Sequence, residues 1–368
     1  MAATVLVLGL GDLGTRVLDA LARLPEIERL VGASRDDEHG RGRAGQAALV
    51  AELAGGPRQV EFARLDVGDV GATADLLTRL DPDVVVMAAS RLTWWRSPRD
   101  ETLARRPLGI WLPLQLTLVR SLMVARREVQ SRAVVVSLPY PDGVGPALAP
   151  LGLAPDLGGG NVAETAPKLA RLAGPGAEVR LVMHHAVQRF AFAPAGDAGV
   201  HLHHPEHPMP TAAASDVGVH LHHLGEPPWA AEVRVDGERL DDERVRELFR
   251  SPYPLPAGRD THELTAAATA ETVRALLGDV PVATHAPAPG GRPGGYPVRA
   301  SRAGVELDLP EGLDEAAAVA LNERAARWDG IERIEADGTI VFTEPVLGFD
   351  RVSPDDVDAA ADELAARR

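Results

Sequence analysis

The chain contains no cysteine among its 368 residues. This absence excludes disulfide bonds, thiolate metal sites and a cysteine nucleophile. Positive charge is also in deficit, because the formal net charge is −15 at pH 7. Nucleic acids and anionic membranes bind clustered cations, so we expect neither as a partner. We further expect no N-terminal leader and no apolar run of the roughly 18 residues that span a bilayer, and hence a cytoplasmic location.

Lysine is almost absent as well, since Lys168 is the only one in the chain. The other basic residues are arginines, an excess that fits codon bias because alanine, glycine and proline are also abundant. Codon bias does not explain the one exception. An ammonium in a partly buried cleft can have its pKa lowered and can pass a proton, whereas a guanidinium stays protonated. Lys168 is therefore a candidate catalytic residue, and the alternative is a chance lysine on a solvated helix.

The N-terminal stretch has the pattern of a dinucleotide-binding turn. Residues 5–8 form the continuous apolar run of a strand that is covered on both faces, and residues 15–24 have apolar positions at helical spacing. The three glycines between them allow a tight turn, the approach of a pyrophosphate and close packing of helix on strand. The helix N-terminus would face the anion. The residues expected to hold the dinucleotide here are Gly9, Gly11, Asp12, Leu13 and Gly14.

The end of the second predicted strand indicates which dinucleotide binds. NAD-specific proteins place an acidic residue there for the ribose hydroxyls, but this strand ends in Ser34 and Arg35. A hydroxyl and a guanidinium suit a 2′-phosphate, so we predict NADP(H) as the cofactor. Asp36 and Asp37 follow directly and leave NAD as the alternative.

Further strands and helices alternate up to about residue 140, and this pattern predicts a doubly wound parallel sheet. Asp66, at the end of the third strand, is placed either to bind adenine or to cap the next helix. The fourth strand, residues 81–90, is led in by a turn and ends in small residues that would let the cofactor lie across the strand tips. Those residues are Ala88, Ala89 and Ser90. A long apolar helix over residues 112–129 hints at a homodimer, although burial within its own domain explains it equally well.

The character of the sequence changes after Pro139, where turns and a second glycine cluster follow. We expect an α/β protein with an N-terminal Rossmann domain (1–150), a substrate and oligomerisation domain of α+β type with mostly antiparallel strands (151–350), and a C-terminal helix (351–368). Trp94 and Trp95 follow the fourth strand and would floor a substrate pocket or pack on another domain or subunit.

Proton-transfer candidates are grouped around the expected cleft. They are Lys168, His184, His185 and Tyr140. Asn161, in the second glycine cluster, is a candidate substrate-binding residue because the glycines let backbone approach a ligand. The histidines are placed on a predicted strand that runs from residue 178 to residue 190.

Two near-identical histidine phrases occupy residues 201–204 and 220–223. Histidines two apart on a strand share a face, so four imidazoles from adjacent strands would be able to bind zinc or another transition metal. No carboxylate is fixed in the spacing, and we expect antiparallel strands that bind no metal as part of function.

The first 140 residues or so resemble the saccharopine-dehydrogenase-like NAD(P)-dependent oxidoreductases. The resemblance rests on the three glycines of the turn, Ser34-Arg35, Asp66-Val67 and residues 84–90. It implies a Rossmann domain followed by an α/β domain that holds the substrate. The same phrases also resemble extended short-chain dehydrogenases, but no tyrosine has a lysine four residues later, as that family's chemistry requires.

These observations favour an NADP-dependent oxidoreductase that reduces or oxidises a small polar carbonyl, imine or amino-acid-like substrate. One alternative is an isomerase, lyase or dehydratase in which tightly retained NADP is reduced and reoxidised within a turnover. Another is a non-catalytic NADP-binding protein. Consumption of NADPH separates the first function from the other two.

Overall fold

The computed structural model describes residues 3–92, 106–192, 226–256 and 258–367. A six-stranded parallel sheet dominates the N-terminal half, with the strand order β3-β2-β1-β4-β5-β6. This order reverses between β1 and β4, and ligands of open α/β sheets bind at such a switch point, outside the carboxyl ends of the strands. The strands are β1 (Ala3–Leu8), β2 (Ile27–Ser34), β3 (Gln59–Arg64), β4 (Val84–Met87), β5 (Val134–Ser137) and β6 (Leu157–Gly158).

Helices cover both faces of this sheet, as the continuous apolar runs of its central strands require. Along β1, Leu6 and Leu8 face one apolar cluster while Val5 and Val7 face another. Successive side chains of a strand point to opposite faces, so the strand is buried from both sides. The helices of this half are α1 (Asp12–Leu21), α2 (Asp37–Ala54), α3 (Val70–Leu80), α4 (Leu112–Glu128) and α5 (Pro141–Leu148).

The described residues after β6 form three antiparallel sheets of three strands each. They are β7-β8-β9 (Ala177–Val182, Ala230–Val235, Glu238–Arg239), β10-β11-β12 (Val282–Pro287, Gly295–Ser301, Gly304–Leu307) and β13-β14-β15 (Ile331–Ile334, Ile340–Val346, Phe349–Val352). Their helices are α6 (Val162–Ala173), α7 (His185–Phe192), α8 (Asp242–Arg250), α9 (His262–Leu277), α10 (Glu315–Ala326) and α11 (Val357–Ala366). The predicted class, a doubly wound parallel sheet followed by mostly antiparallel α+β structure, is confirmed.

The predicted strand over residues 178–190 is wrong in its second half. β7 ends at Val182, and α7 begins at His185. The helix begins here because a carboxylate of Asp142 accepts a hydrogen bond from the His185 amide, one of the first-turn amides that lack a partner inside a helix. Placing the histidine at a helix start aims its ring at the carboxyl edge of the parallel sheet.

Contrary to the expectation that no apolar run reaches the length of a bilayer span, the stretch Leu108–Glu128 has the length and composition of a membrane-spanning helix, with a mean hydropathy of 1.5 in its most apolar window. Within that window 72% of the residues are buried inside the protein, as in the core helix of a soluble protein. The helix packs against α3 and α11, so its apolar faces are covered within the chain. Arg120 on this helix donates a 3.0 Å hydrogen bond to the carbonyl of Pro354. Because Pro354 lies just before α11, this bond ties the start of the C-terminal helix to α4.

Candidate functional site

The glycine turn after β1 is built as its spacing predicts. Gly9 has a φ of +93°, and a Cβ there would lie 2.6 Å from the amide nitrogen of Ala89. A Cβ on Gly14 would lie 1.7 Å from the carbonyl oxygen of Gly9. Both positions therefore need glycine so that the turn can close against the end of β4.

Gly11 differs from the other two glycines because a Cβ there, its chain neighbours apart, would meet no atom of the described residues within 4 Å. Its φ of −74° is open to any residue. It lies at the N-terminus of α1, where the first-turn amides of Asp12, Leu13 and Gly14 have no intrahelical partners and carry the positive end of the helix dipole. Open space beside such amides fits a dinucleotide pyrophosphate.

The small residues after β4 complete this pocket wall. β4 ends at Met87, and the amide of Ala88 donates 2.8 Å to the carbonyl of Leu8. Ala88 and Ala89 pack against the glycine turn. Ser90 uses its hydroxyl within its own turn, where Oγ lies 2.8 Å from the amide nitrogen of Leu92.

Arg35 is exposed at the end of β2, whereas the two acids that follow it contact other groups of the protein. Arg35 is 79% exposed, and its Nη1 lies 4.0 Å from Oδ2 of Asp66. Asp66 also accepts 3.0 Å from the amide of Gly68, so it caps the turn that follows its strand. Asp36 caps α2, and Asp37 pairs with an arginine of the same helix. Ser34 donates 3.1 Å to the carbonyl of Asp36.

A second group of polar residues lies along the same carboxyl edge of the sheet. Tyr140 and Asp142 follow β5, and Asn161 follows β6. Asn161 donates 3.0 Å to Oδ1 of Asp142, whose other oxygen caps α7 at His185. The structure thus brings together Tyr140, Asn161 and His185, which are among the residues predicted from the sequence.

The centre of this group is the buried carboxylate of Asp329, at the end of the short helix Arg327–Asp329. Its Oδ2 lies 2.7 Å from Nδ1 of His185 and accepts a 2.9 Å hydrogen bond from the Tyr140 hydroxyl. His184 is fully buried, and its Nδ1 lies 3.6 Å from the same oxygen of Asp329. Because Nδ1 of His185 is bound to the carboxylate, Nε2 is the ring nitrogen that remains for a substrate, and no described residue bonds to it.

This environment shifts the pKa values of the two histidines in opposite directions. Burial alone would lower the pKa of His185, but the Asp329 carboxylate outweighs it and the net pKa is raised. Burial dominates at His184, whose pKa is lowered. Burial likewise would raise the pKa of Asp329, but His185, His184 and Arg189 hold it well below its usual value. Both pKa shifts favour the charged forms, the imidazolium of His185 and the carboxylate of Asp329.

One helical turn beyond His185, the guanidinium of Arg189 is half-buried. Burial lowers its pKa, which the Asp329 charge only partly offsets. Its guanidinium carbon lies 5.0 Å from the centre of the Phe190 ring, and within the described ranges it forms no ion pair. A desolvated cation without a direct ion pair is costly unless an anion binds beside it.

A third buried carboxylate, Glu164 on α6, is fully occupied by neutral donors. Thr265 donates 2.6 Å to one oxygen and Gln188 donates 2.7 Å to the other. Burial raises the pKa of Glu164. These bonds join α6, α7 and α9 behind the catalytic candidates. In the part of the chain that the structure describes, no group of three or more His, Asp and Glu is arranged to hold a metal ion.

Lys168 lies one turn further along α6 but does not join the group around Asp329. Its ammonium donates to the carbonyls of Ala191 and Phe249, at the ends of α7 and α8. The rings of Phe192 and Phe249 lie beside it at 5.6 and 5.7 Å. Burial lowers the pKa of Lys168 to about 8. Trp94, Trp95 and both histidine phrases lie outside the described residues.

No protein-family model matches the sequence, and no curated protein sequence matches it either. Solved structures do match. Malate dehydrogenase from Salinibacter ruber aligns with 88% of this chain and 95% of its own, at 16% identity and a TM-score of 0.51. Lactate dehydrogenase from Eimeria maxima, solved with NADH and oxamate, aligns over 88% and 91%, at 11% identity and a TM-score of 0.54.

Lactate dehydrogenase from Cryptosporidium parvum, solved with lactic acid and nicotinamide adenine dinucleotide, aligns with 99% of this chain and 98% of its own, at 13% identity and a TM-score of 0.51. The chain has the fold of the malate and lactate dehydrogenases. At these identities the likeness establishes the fold alone, over both halves of the chain.

Three residues of the site were missed by the sequence analysis, namely Asp329, Asp142 and Arg189. Asp329 is 144 residues from His185 and carries no local motif. Asp142 gave a weak signal, as an acid just after a predicted strand of the parallel sheet. Arg189 was hidden among many arginines, and its spacing of four residues from His185 becomes informative only once that segment is known to be a helix.

Proposed function

We propose that this protein is an NAD(P)-dependent oxidoreductase that interconverts a small 2-hydroxy acid and the corresponding 2-keto acid. The observation that carries the proposal is Arg189, a half-buried guanidinium without an ion pair among the described residues, one helical turn from a histidine bound to a carboxylate. Such an arginine fits a carboxylate substrate, which it can bind through two parallel hydrogen bonds. The fold shared with malate and lactate dehydrogenases supports this class of reaction.

The roles follow from the geometry. The glycine turn and the amides that open α1 would hold the pyrophosphate, and Ala88 and Ala89 would leave room for the cofactor across the strand tips. When bound, the nicotinamide supplies or accepts the hydride. His185 gives the proton to the carbonyl oxygen in reduction and removes it from the hydroxyl in oxidation, through Nε2. Asp329 fixes the tautomer by binding Nδ1 and stabilises the protonated ring.

NADP(H) remains our proposed cofactor. Arg35 is exposed beside the end of β2, and the two acids that favoured NAD are engaged, one as a helix cap and one in an ion pair. Against this proposal, the matching lactate dehydrogenases were solved with NAD or NADH. The saccharopine-dehydrogenase-like resemblance, imine substrates, a homodimer and a cytoplasmic location also remain predictions from the sequence.

The direct test is consumption of NADPH and NADH in the presence of 2-keto acids, imines and neutral aldehydes. We expect turnover with 2-keto acids. Arg189→Leu should raise KM for them by about a hundredfold, since two charge-assisted hydrogen bonds are lost. Arg171→Leu, at an exposed position of α6, is the matched control and should behave as wild type.

Two results would contradict the proposal. One is equal loss of activity toward keto acids and neutral aldehydes in Arg189→Leu, which would mean that the arginine does not hold a carboxylate. The other is no net consumption of either cofactor with any substrate. In that case cofactor found bound in the isolated protein would favour the isomerase, lyase or dehydratase, and its absence would favour a non-catalytic binding protein.

A further inference from the structure

One oxygen of Asp329 is shared by donors from two separate parts of the chain. Oδ2 accepts 2.9 Å from the Tyr140 hydroxyl, after β5, and lies 2.7 Å from Nδ1 of His185, at the start of α7. A hydrogen bond to one donor reduces the charge that the oxygen offers to the other. The tyrosine therefore competes with the histidine for the same carboxylate.

The backbone of Tyr140 is held in an unfavourable conformation. Its φ is +36° and its ψ is 61°, in the left-handed region that favours glycine. A non-glycine residue in this region is strained and persists only where the surrounding structure enforces the conformation. Glycine at this position would avoid the strain but would supply no hydroxyl, so the strained conformation points to a role for the side chain.

The ring of Tyr140 is fixed from two sides. A Cβ on Gly143 would lie 2.6 Å from Cε1 of the tyrosine, so the ring packs directly on a bare backbone. The His185 ring meets it edge-on, at 5.5 Å between centroids and an interplanar angle of 88°. With only 5% of the residue exposed, the hydroxyl is directed at Asp329.

This hydroxyl is a permanent donor rather than a proton carrier. Burial, together with the charges of Asp329 and Asp142, raises the pKa of Tyr140 well above its ordinary value. At neutral pH the proton therefore stays on the tyrosine. The hydroxyl therefore acts on His185 through the carboxylate that it holds, whereas the ring contacts the histidine directly.

We propose that Tyr140 is a positioning residue which, by occupying Oδ2 of Asp329, limits how strongly that carboxylate stabilises protonated His185. The catalytic meaning of this inference rests on the proposed function, because it assumes that His185 transfers the proton. The effect of Tyr140 on the pKa of His185 does not depend on that function. The titratable and charged groups around His185 are Asp329, Asp142 on α5, Glu164 on α6, His184 directly before α7, and Arg189 within α7.

Tyr140→Phe keeps the ring and deletes the hydroxyl. Freed of its second donor, Asp329 should bind protonated His185 more strongly, so the pKa of His185 should rise by about half a unit to one unit. The measurement is a pH titration by NMR of protein with 15N-labelled histidine, with the His185 signal assigned by its loss in His185→Gln. The pH profile of 2-keto acid reduction, which needs protonated His185, should move to higher pH by the same amount.

Tyr296→Phe is the matched control, because that tyrosine is fully buried and donates 2.7 Å to the carbonyl of Pro293 instead. It should leave the His185 titration unchanged. An unchanged or lowered pKa in Tyr140→Phe, or an equal rise in Tyr296→Phe, overturns the inference. If Tyr140→Phe does not fold, Gly143→Ala replaces it, since the added methyl displaces the ring and should raise the same pKa.

The two proposals fail separately in this design. A wild-type protein that consumes no cofactor overturns the proposed function, while the NMR titration still decides whether Tyr140 controls the His185 pair. Conversely, normal turnover of keto acids together with an unmoved titration in Tyr140→Phe overturns only the role of the tyrosine.

Discussion

Asp12, inside the glycine turn, lies 2.7 Å from Nδ1 of His262, the first residue of α9. The contact joins the turn to the second half of the chain. Burial raises the pKa of Asp12, but hydrogen bonds from His262 and Arg16 outweigh it and the net pKa is lowered, so the side chain is charged at neutral pH. A carboxylate thus stands at the helix N-terminus that is expected to bind a pyrophosphate.

We predict that Asp12→Asn binds NADP(H) more tightly, because the amide keeps a polar contact while removing a negative charge next to the expected pyrophosphate. The gain should be about threefold to tenfold at low ionic strength and should shrink as salt is added. Calorimetric titration measures it. Asp75→Asn, at an exposed position on α3, is the control. Weaker binding in Asp12→Asn would show that its contact with His262 matters more than its charge.

Gly11→Val should fold like the wild type and fail to bind either dinucleotide. A Cβ at this position meets no atom of the described residues within 4 Å, its chain neighbours apart, and the backbone there is open to any residue, so the added side chain should obstruct a ligand rather than the fold. Thermal unfolding and fluorescence titration with NADPH and NADH check the two parts of the prediction. Gly14→Ala provides the contrast, because its methyl would overlap the carbonyl of Gly9 and should destabilise the fold itself. If Gly11→Val binds NADPH or NADH as tightly as the wild type, the turn does not bind the dinucleotide and serves only the fold.

The cofactor turn was predictable from the sequence because its chemistry is local. The glycine spacing, the buried strand and the helix lie within about twenty residues, and backbone geometry relates them directly. The boundary of α7 was not predictable in this way. Residues 178–190 contain enough apolar positions for a strand, and the cap that begins the helix at His185 comes from Asp142, 43 residues earlier.

Only some of the catalytic candidates could be predicted from the sequence, because the others depend on contacts between distant parts of the chain. Tyr140 and His185 were identified as proton-transfer candidates, yet Asp329, which binds both, is 189 residues from the first and 144 from the second. Side chains that meet only through tertiary packing carry no spacing signal. The composition of the chain identified Lys168 as unusual because it is the only lysine. Composition does not predict its contacts, which are the carbonyls at the ends of α7 and α8.

Arg35→Ala should remove most of the preference for NADPH over NADH while leaving NADH binding nearly unchanged. The guanidinium is exposed and only loosely paired with Asp66, so it is available for a charge-assisted bond to the 2′-phosphate. Dissociation constants for both cofactors, measured on wild type and variant, check this. Arg58→Ala, an exposed arginine that precedes β3, serves as control. Equal affinities in the wild-type protein would remove the basis for the NADP proposal.

The environment of Lys168 predicts a pH-dependent contribution to stability. Burial lowers its pKa from 10.5 to about 8, so between these values the unfolded chain binds more protons than the folded one. The free energy of unfolding should therefore rise with pH across this window, by up to about 3 kcal/mol relative to Lys168→Met, and the full cost of the buried charge should be present below pH 8. Denaturant titrations of both proteins from pH 7 to 10.5 measure the difference.

Lys168→Arg separates this structural role from proton transfer. If the ammonium serves to join the ends of α7 and α8, the larger guanidinium should lower the free energy of unfolding, because Phe192 and Phe249 enclose the site, and the remaining folded protein should turn over normally. If Lys168 is instead a general acid or base, the variant should fold and bind NADPH as the wild type but lose roughly two to four orders of magnitude in turnover. Stability and kcat measured on the same preparation distinguish the two, and a fully stable, fully active variant would contradict both.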